Sequence, residues 1–304
     1  MKEAKKYLGM LAIIILVGIY LFTNNGKTQN TDGQQNKLNN TISIYTEELI
    51  KVHYIDVGQG DSTFIELPNE ETMLIDAGER DYGEIVYTYI NTLGYTDVDY
   101  VIGTHPHTDH IGGMYDVISN TDVSCIYMPN ATSNTKTFQN LLTLIKNKKI
   151  DAKLGRAGVT VIDNEDLTVK MLAPVKDYED LNNTSIVLKI TYKDVSFLFT
   201  GDAESDGEKE FLKDAKCNVV KVGHHGSNTS STADFVYACD ADYAIISVGK
   251  DNDYGHPKTK VVNRWKSSGA KIYRTDECGT IVVSSDGKSI EIKCEKWGAI
   301  NWKL

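Results

Sequence analysis

Apolar residues fall along this chain in short runs broken by Gly, Pro and Asn, and the spacing within the runs alternates between strand-like and helix-like. Val52–Val57, Ser62–Leu67 and Thr72–Ile75 read as three strands joined by turns that contain those residues. Glu84–Leu93 reads as a helix with Ile85, Tyr89 and Leu93 on one face. Tyr100–Gly103 is a short buried strand that runs into a cluster of histidines, and a helix follows from about Ile111 to Ser119. Phe138, Leu141, Leu142 and Ile145 mark another amphipathic helix. Leu167–Leu172, Ser185–Thr191, Val195–Thr200, Asn218–Val222 and Tyr243–Val248 read as strands. One helix is expected at Ala203–Lys213 and another after His256-Pro257, and hairpin strands close the chain. Such alternation predicts an α/β fold. His105, Asp202, His224 and His256 all stand just beyond the end of an apolar strand. Strand-end loops are where α/β folds gather functional groups, so four such ends predict one shared site.

The N-terminus has a different pattern. Lys2, Lys5 and Lys6 precede an apolar run from Tyr7 to Phe22, slightly short for the 17–25 or so residues of a full span. No small-residue cleavage site follows, and no cysteine, so a lipoprotein is excluded and an uncleaved signal anchor over residues 1–22 is preferred to a cleaved signal. The basic flank then places the rest of the chain outside the cytoplasm. Residues 23–47, rich in Asn, Gln, Thr, Gly and Lys, form a flexible linker. Residues 48–304 are left as one large globular domain with no internal repeat.

Hydrophobic residues make up 41% of the 304 and charged residues 24%, enough for a core, and the net charge is −10. That balance argues against a protein that grips nucleic acid by bulk charge, though not against a nuclease whose metal ions supply local positive charge. Cys125, Cys217, Cys239, Cys278 and Cys294 lack CxxC spacing and are expected to be isolated buried thiols; a bridge between Cys278 and Cys294 across neighbouring strands ranks behind that reading.

The chemistry centres on Thr104-His105-Pro106-His107-Thr108-Asp109-His110, which holds three of the chain's seven histidines. Neutral imidazole and carboxylate are the usual ligands of catalytic zinc and related ions. A turn after a strand aims His105 and His107 at one ion, and Asp109 and His110, at the start of the next helix, reach a second. Two ions about 3.5–4 Å apart would share a water. Four ligands do not close such a site. Phe199-Thr200-Gly201-Asp202 offers Asp202 as a bridge, and Val222-Gly223-His224-His225-Gly226-Ser227 offers a further histidine. Each alone is weak, since a lone Gly-Asp is usually a turn; their order and strand-end placement make the set specific.

These motifs resemble the metallo-β-lactamase superfamily over nearly all of residues 50–295. They are similar in particular to the soluble hydrolase domain of the DNA-uptake protein ComEC and its stand-alone relatives. The resemblance is carried by His53-Tyr54-Ile55-Asp56-Val57-Gly58-Gln59-Gly60-Asp61-Ser62, Leu74-Ile75-Asp76-Ala77-Gly78, Thr200-Gly201-Asp202-Ala203-Glu204, Lys221-Val222-Gly223-His224-His225-Gly226-Ser227 and Tyr254-Gly255-His256-Pro257. It implies an αββα sandwich with the metals at one edge. By motif position His105 and His107 bind the first ion, Asp109 and His110 the second, and Asp202 bridges. His224, rather than His225, completes the second site. Asp56, Asp61 and Asp76 are expected behind the ligands. One departure stands out: where many members carry a third histidine for the first ion, this chain has Leu181-Asn182-Asn183-Thr184-Ser185. Asn182 or a water takes that place, and the first position accepts manganese as easily as zinc.

The expected cofactors are two divalent ions, zinc ahead of manganese, and the expected reaction is hydrolysis by a water activated between them and oriented by Asp109. His256 either meets a substrate anion or donates a proton, or else serves the helix entry; Asn182 and Ser227 are expected at the substrate, with Lys221 a candidate phosphate contact. His53 is read as structural. A phosphodiester, nucleic acid foremost, leads on the resemblance alone, because the lysines at 146, 148, 149 and 153 fit a solvated helix end equally well. A surface phosphoesterase acting on small or lipid-linked groups such as phosphocholine comes second and a β-lactamase or lactonase third. A non-catalytic metal scaffold comes last, because the ligand set is intact. One apolar segment cannot form a pore, so the chain is expected to carry the hydrolase part of a DNA-uptake protein alone, attached to a membrane through its N-terminal segment. No protein partner is legible.

Overall fold

The computed structural model describes residues 48–297; the anchor expected over 1–22 and the linker over 23–47 lie outside them. No helix among the described residues is long and apolar enough to cross a membrane. The strands are β1 (Ile50–Tyr54), β2 (Ser62–Glu66), β3 (Thr72–Ala77), β4 (Asp97–Ile102), β5 (Asp122–Met128), β6 (Asp151–Leu154), β7 (Thr160–Asp163), β8 (Leu167–Ala173), β9 (Val187–Tyr192), β10 (Val195–Phe199), β11 (Val219–Lys221), β12 (Tyr243–Ile246), β13 (Lys271–Arg274), β14 (Ile281–Ser285) and β15 (Ile290–Cys294). They form an eight-stranded sheet, β15-β14-β1-β2-β3-β4-β5-β6, and a seven-stranded sheet, β13-β12-β11-β10-β9-β8-β7. Each sheet is antiparallel at one end and parallel at the other: β3 to β6 run parallel in the first and β10 to β13 in the second.

The facing surfaces of the sheets supply the central core. Val52, Tyr54, Ile65 and Met73 from the first meet Val169, Leu188, Phe197 and Phe199 from the second, and Tyr54 stacks on Phe199 at 6.1 Å between ring centroids. The helices are α1 (Gly83–Thr92), α2 (Thr108–Ile111), α3 (Met114–Asn120), α4 (Lys136–Lys148), α5 (Ser205–Phe211), α6 (Ala233–Cys239), α7 (Thr259–Ser267) and α8 (Thr275–Cys278). Val86, Ile90, Val117 and Leu141 from α1, α3 and α4 pack on Phe64, Leu74 and Val101 behind the first sheet. Phe211, Phe235 and Trp265 from α5, α6 and α7 pack on Leu198, Val220 and Ala244 behind the second. The result is the expected layering of helix, sheet, sheet and helix, in which each element buries one apolar face.

Local departures have physical causes. On α1 it is Val86 and Ile90 that are buried, while Ile85 is half exposed, so the expected helical face is displaced by one residue. The helix expected over 111–119 is divided at Gly112-Gly113 into α2 and α3. A side chain at Gly113 would place its Cβ 2.2 Å from the carbonyl oxygen of Ala77, so the chain passes there only as glycine. Strands β5, β6, β7 and β13 were not legible as periodic runs: β6 is exposed throughout and β5 opens on exposed or half-exposed Asp122, Val123 and Ser124. All five cysteines are buried, and Cys278 and Cys294 lie side by side with sulfurs 2.8 Å apart.

Candidate metal centre

β4, β10, β11 and β12 deliver their following loops to one edge of the sandwich, and six of the seven histidines meet there. His105 and His107 leave the end of β4. Asp109 and His110 lie in the single turn of α2, whose position is fixed by a bond from the Asp61 amide to the Asp109 carbonyl (3.1 Å). Asp202 follows β10 through Gly201, which takes the left-handed conformation (φ +52°) that only glycine adopts at little cost. The Asp202 amide donates to Ser185 Oγ (3.0 Å).

Four imidazole Nε2 atoms converge on Asp202 Oδ2: His110 at 3.3 Å, His224 and His225 at 3.6 Å and His105 at 4.0 Å. Each ring is held from behind at Nδ1. His110 donates to Asp76 Oδ2 (2.7 Å), which also takes the Thr104 hydroxyl (2.6 Å). His225 donates to the Ser247 carbonyl (3.0 Å), with Asp61 Oδ1 at 3.3 Å. Thr104 and Ser185 flank the Nδ1 of His105 at 3.2 and 3.3 Å. Thr229 Oγ1 and Glu204 Oε1 flank that of His224 at 3.1 and 3.3 Å. Fixing Nδ1 in this way aims the lone pair of Nε2 at the shared carboxylate, as metal-binding histidines require. His107 faces the same place with Nδ1, 3.0 Å from His105 Nε2.

Donor atoms of Asp109, His110, Asp202 and His225 lie within 4.8 Å of one another. His110 Nε2 and Asp202 Oδ1 are buried with no hydrogen-bond partner among the described residues. Orphaned buried polar atoms are rare in native structures, and a divalent cation between these groups would satisfy the imidazole. The mixed nitrogen and oxygen set suits zinc or manganese. Charge within the cluster agrees. Burial opposes the charge on His110 and His225, yet Asp202 with Asp76 and Asp109 raises His110 well above the usual range, and Asp202 with Asp61 raises His225 to about 10. Burial likewise opposes ionisation of Asp202, but His110 and His225 hold it well below the usual carboxylate value. The site therefore gathers positive charge around Asp202, Asp109 and Asp61, whose carboxyls are all held below the usual value. Burial, with help from His224 and His225, lowers His256 to about 4, so its ring is neutral near pH 7 and suits hydrogen bonding better than proton donation.

The structure redistributes several expected roles. His225, ranked behind His224, is the buried member of the pair (1% exposed) and joins the compact donor group; His224 is the more exposed and faces the cleft. Both residues are left-handed (φ 50°), and a sequence does not say which of two adjacent side chains such a turn points inward. Asp76 stands behind the His110 ring and Asp61 behind the His225 ring. Asp56 does not: it takes the Gly58 amide (3.2 Å), faces Lys296 at 3.6 Å and lines a separate cavity of about 740 Å³ with Glu84 and Ile85. That cavity is larger than the histidine-lined cleft but holds none of the ligand residues. Ser227, expected at the substrate, turns its hydroxyl to Thr229 (2.9 Å). Lys221, a candidate phosphate contact, is buried in an ion pair with Asp61 and donates to the Gly201 carbonyl (3.1 Å), so it faces away from the cleft. His53 is structural, bonded between Glu66 (3.0 Å) and Tyr89 (2.8 Å). Asn182 and His256 line the cleft of about 300 Å³ with Gln59, His107, His224 and Tyr254. Gln59, Tyr254 and Glu204 were missed as functional candidates although each lies within a recognised motif.

A sequence profile described as the metallo-beta-lactamase superfamily matches residues 55–250. The chain belongs to this superfamily. Membership and the His/Asp cluster together point to a metal-dependent hydrolase. The chain is 31% identical over 252 residues to ComE operon protein 3 of Bacillus subtilis (strain 168), covering 76% of this chain and 32% of that protein. It is 27% identical over 231 residues to competence protein ComA of Neisseria gonorrhoeae, covering 74% and 31%. It thus spans about a third of the length of these relatives. Among solved structures, CmlA, a diiron beta-hydroxylase from Streptomyces venezuelae, superposes with a TM-score of 0.51 at 14% identity, covering 74% of this chain and 52% of that one, a likeness of fold alone.

Proposed function

We propose that this protein is a two-metal phosphodiesterase that acts on nucleic acid. The observation that carries the reading is the convergence of four Nε2 atoms and the Asp109 carboxylate around Asp202. His105, His107 and Asp202 would hold one ion, and Asp109, His110, His225 and Asp202 the other. Divalent ions held there supply Lewis acidity and make a water nucleophilic near neutral pH. The protein's part is to position. Asp76, Asp61, Thr104 and Ser185 lock the rings, and Asp202 would be shared between the two positions. Asp109, partly open to the cleft and bonded to His225 Nε2 (3.2 Å), can accept a hydrogen bond from the attacking water. His256 and Asn182, on the cleft wall, are placed to meet the phosphoryl oxygens or the leaving group. The nucleic-acid class is supported by the likeness to competence proteins. The basic flank and apolar run at the N-terminus support an anchored, extracytoplasmic placement.

One observation favours a second reading. Among the described residues no Lys or Arg lines the cleft of about 300 Å³, and the chain carries a net charge of −10, so there a polyanion would be held by the histidines and by any bound ions. A small phosphodiester, such as a phosphocholine headgroup, would fit that wall. The metal-loaded protein should be assayed on single- and double-stranded DNA, bis(p-nitrophenyl) phosphate, a phosphocholine ester and a β-lactam. Hydrolysis of DNA and of the generic phosphodiester is expected. Turnover of the phosphocholine ester without DNA moves the assignment to the second reading, and turnover of none of the phosphate diesters refutes both.

A further inference from the structure

Asp202 Oδ2 sits among four imidazole nitrogens, and the compact group with Asp109 uses only two of them, those of His110 and His225. His105 and His107 face each other across 3.0 Å, and the stretch at Asn182 brings no histidine to them. The remaining imidazole is His224. Its Nε2 lies 3.6 Å from Asp202 Oδ2, the oxygen that all four Nε2 atoms approach, but unlike His225 it stands outside the compact group with Asp109 and His110. We propose that the two adjacent histidines are divided between the ions. His225 serves the position of Asp109 and His110, and His224 serves the position of His105 and His107, supplying the imidazole that is missing at Asn182. The assignment rests on the two-ion reading above.

The local geometry supports the division. Consecutive left-handed residues send the two rings apart, with centroids 6.1 Å from each other and planes at 70°. One ring goes behind Asp202 and the other to its open side. A relay of polar contacts then holds His224. Asn182 Nδ2 donates to Glu204 Oε1 (3.1 Å), and the same oxygen lies 3.3 Å from His224 Nδ1. A carboxylate at the far nitrogen fixes the tautomer that leaves Nε2 free for a metal, as Asp76 does for His110. Asn182 is thereby a positioning residue that acts on the first ion through Glu204 and His224.

The test is metal binding by the full chain in detergent, stripped of metal and titrated with zinc against a chromophoric chelator, with no substrate present. The wild type should take up two ions. His224→Ala should keep one tight ion and weaken the other by more than about 100-fold, and His225→Ala should do the same. The two together should lose both ions. His105→Ala combined with His224→Ala should still retain one ion, because both changes strike the same position. Glu204→Gln should weaken one ion by about 10–100-fold, a readout that holds if His224→Ala fails to fold. Retention of both ions within twofold of wild type by His224→Ala or Glu204→Gln overturns the assignment, as does loss of both ions in the His105/His224 pair. A wild type that binds a single ion overturns the two-ion reading and this division with it.

Discussion

Replacing Asp76 with Asn tests how the cluster controls a ligand it does not replace. Asp76 is fully buried; Oδ1 accepts the Thr104 amide (2.9 Å), and Oδ2 accepts His110 Nδ1 (2.7 Å) and the Thr104 hydroxyl (2.6 Å). Asn keeps the shape. To satisfy the Thr104 amide, its carbonyl oxygen must take the place of Oδ1, which turns the NH₂ group toward His110. The imidazole must then offer a lone pair at Nδ1 and carry its proton on Nε2, the atom that faces Asp202 and the ion. Removing such a partner costs about 10–100-fold in metal affinity, or about 1.4–2.8 kcal/mol at ~1.4 kcal/mol per tenfold. A chelator-competition titration should show one ion weakened by that factor and the other unchanged, and the rise in Tm on adding metal should shrink accordingly. Binding of both ions within twofold of wild type would refute the argument that Asp76 sets the tautomer of His110.

The other predictions concern protons, the cleft and the core. His225 sits at about 10 without metal because Asp202 and Asp61 outweigh its burial, so it is protonated below that pH and must lose its proton to bind an ion. Metal loading near pH 7 should therefore release protons, and affinity should rise with pH, measurable by calorimetry in buffers of different ionisation enthalpy. Glu66 lies at about 2 against an ordinary 4.5, since bonds from His53, Lys51 and Tyr95 outweigh its burial. A lowered carboxylate stabilises the fold above pH 4.5 and loses that contribution as pH falls toward 2. The upper limit is about 3 kcal/mol, and denaturant melts of Glu66→Gln should lack the steep part of that acid dependence. Phe199→Ala, in the layer between the sheets, should cost about 3–5 kcal/mol in the same melts. His256→Ala should raise KM for a phosphodiester while leaving metal stoichiometry at the wild-type value, because His256 lines the cleft but stands outside the donor group.

The parts of the structure that were legible beforehand share a physical origin. β8 and β14 alternate buried and more exposed residues, and β3 is buried along its length around the apolar run Met73–Ile75, so their patterns follow directly from burial. The His105–His110 run was legible because four of six consecutive positions after a strand carry ligand chemistry. What stayed hidden was set by tertiary context. β6 is an exposed edge strand with no periodic signal. Asp56 and Asp61 share one loop and look alike in sequence, yet Asp61 turns inward to Lys221 and His225 while Asp56 turns to Lys296. The inward choice between His224 and His225 depends on two backbone angles, and the burial of Lys221 depends on Asp61, 160 residues away. Glu204 needed the fold as well, since its partner Asn182 comes from the loop before β9.

The central claim is that Asp202 joins two ions into one hydrolytic site, and the most direct measurement is metal content and phosphodiester turnover of Asp202→Ala beside wild type. The wild type should hold two ions per chain and hydrolyse bis(p-nitrophenyl) phosphate. The variant should retain its fold by circular dichroism, bind at most one ion tightly and lose turnover. Two tightly held ions with wild-type turnover in Asp202→Ala would contradict the account.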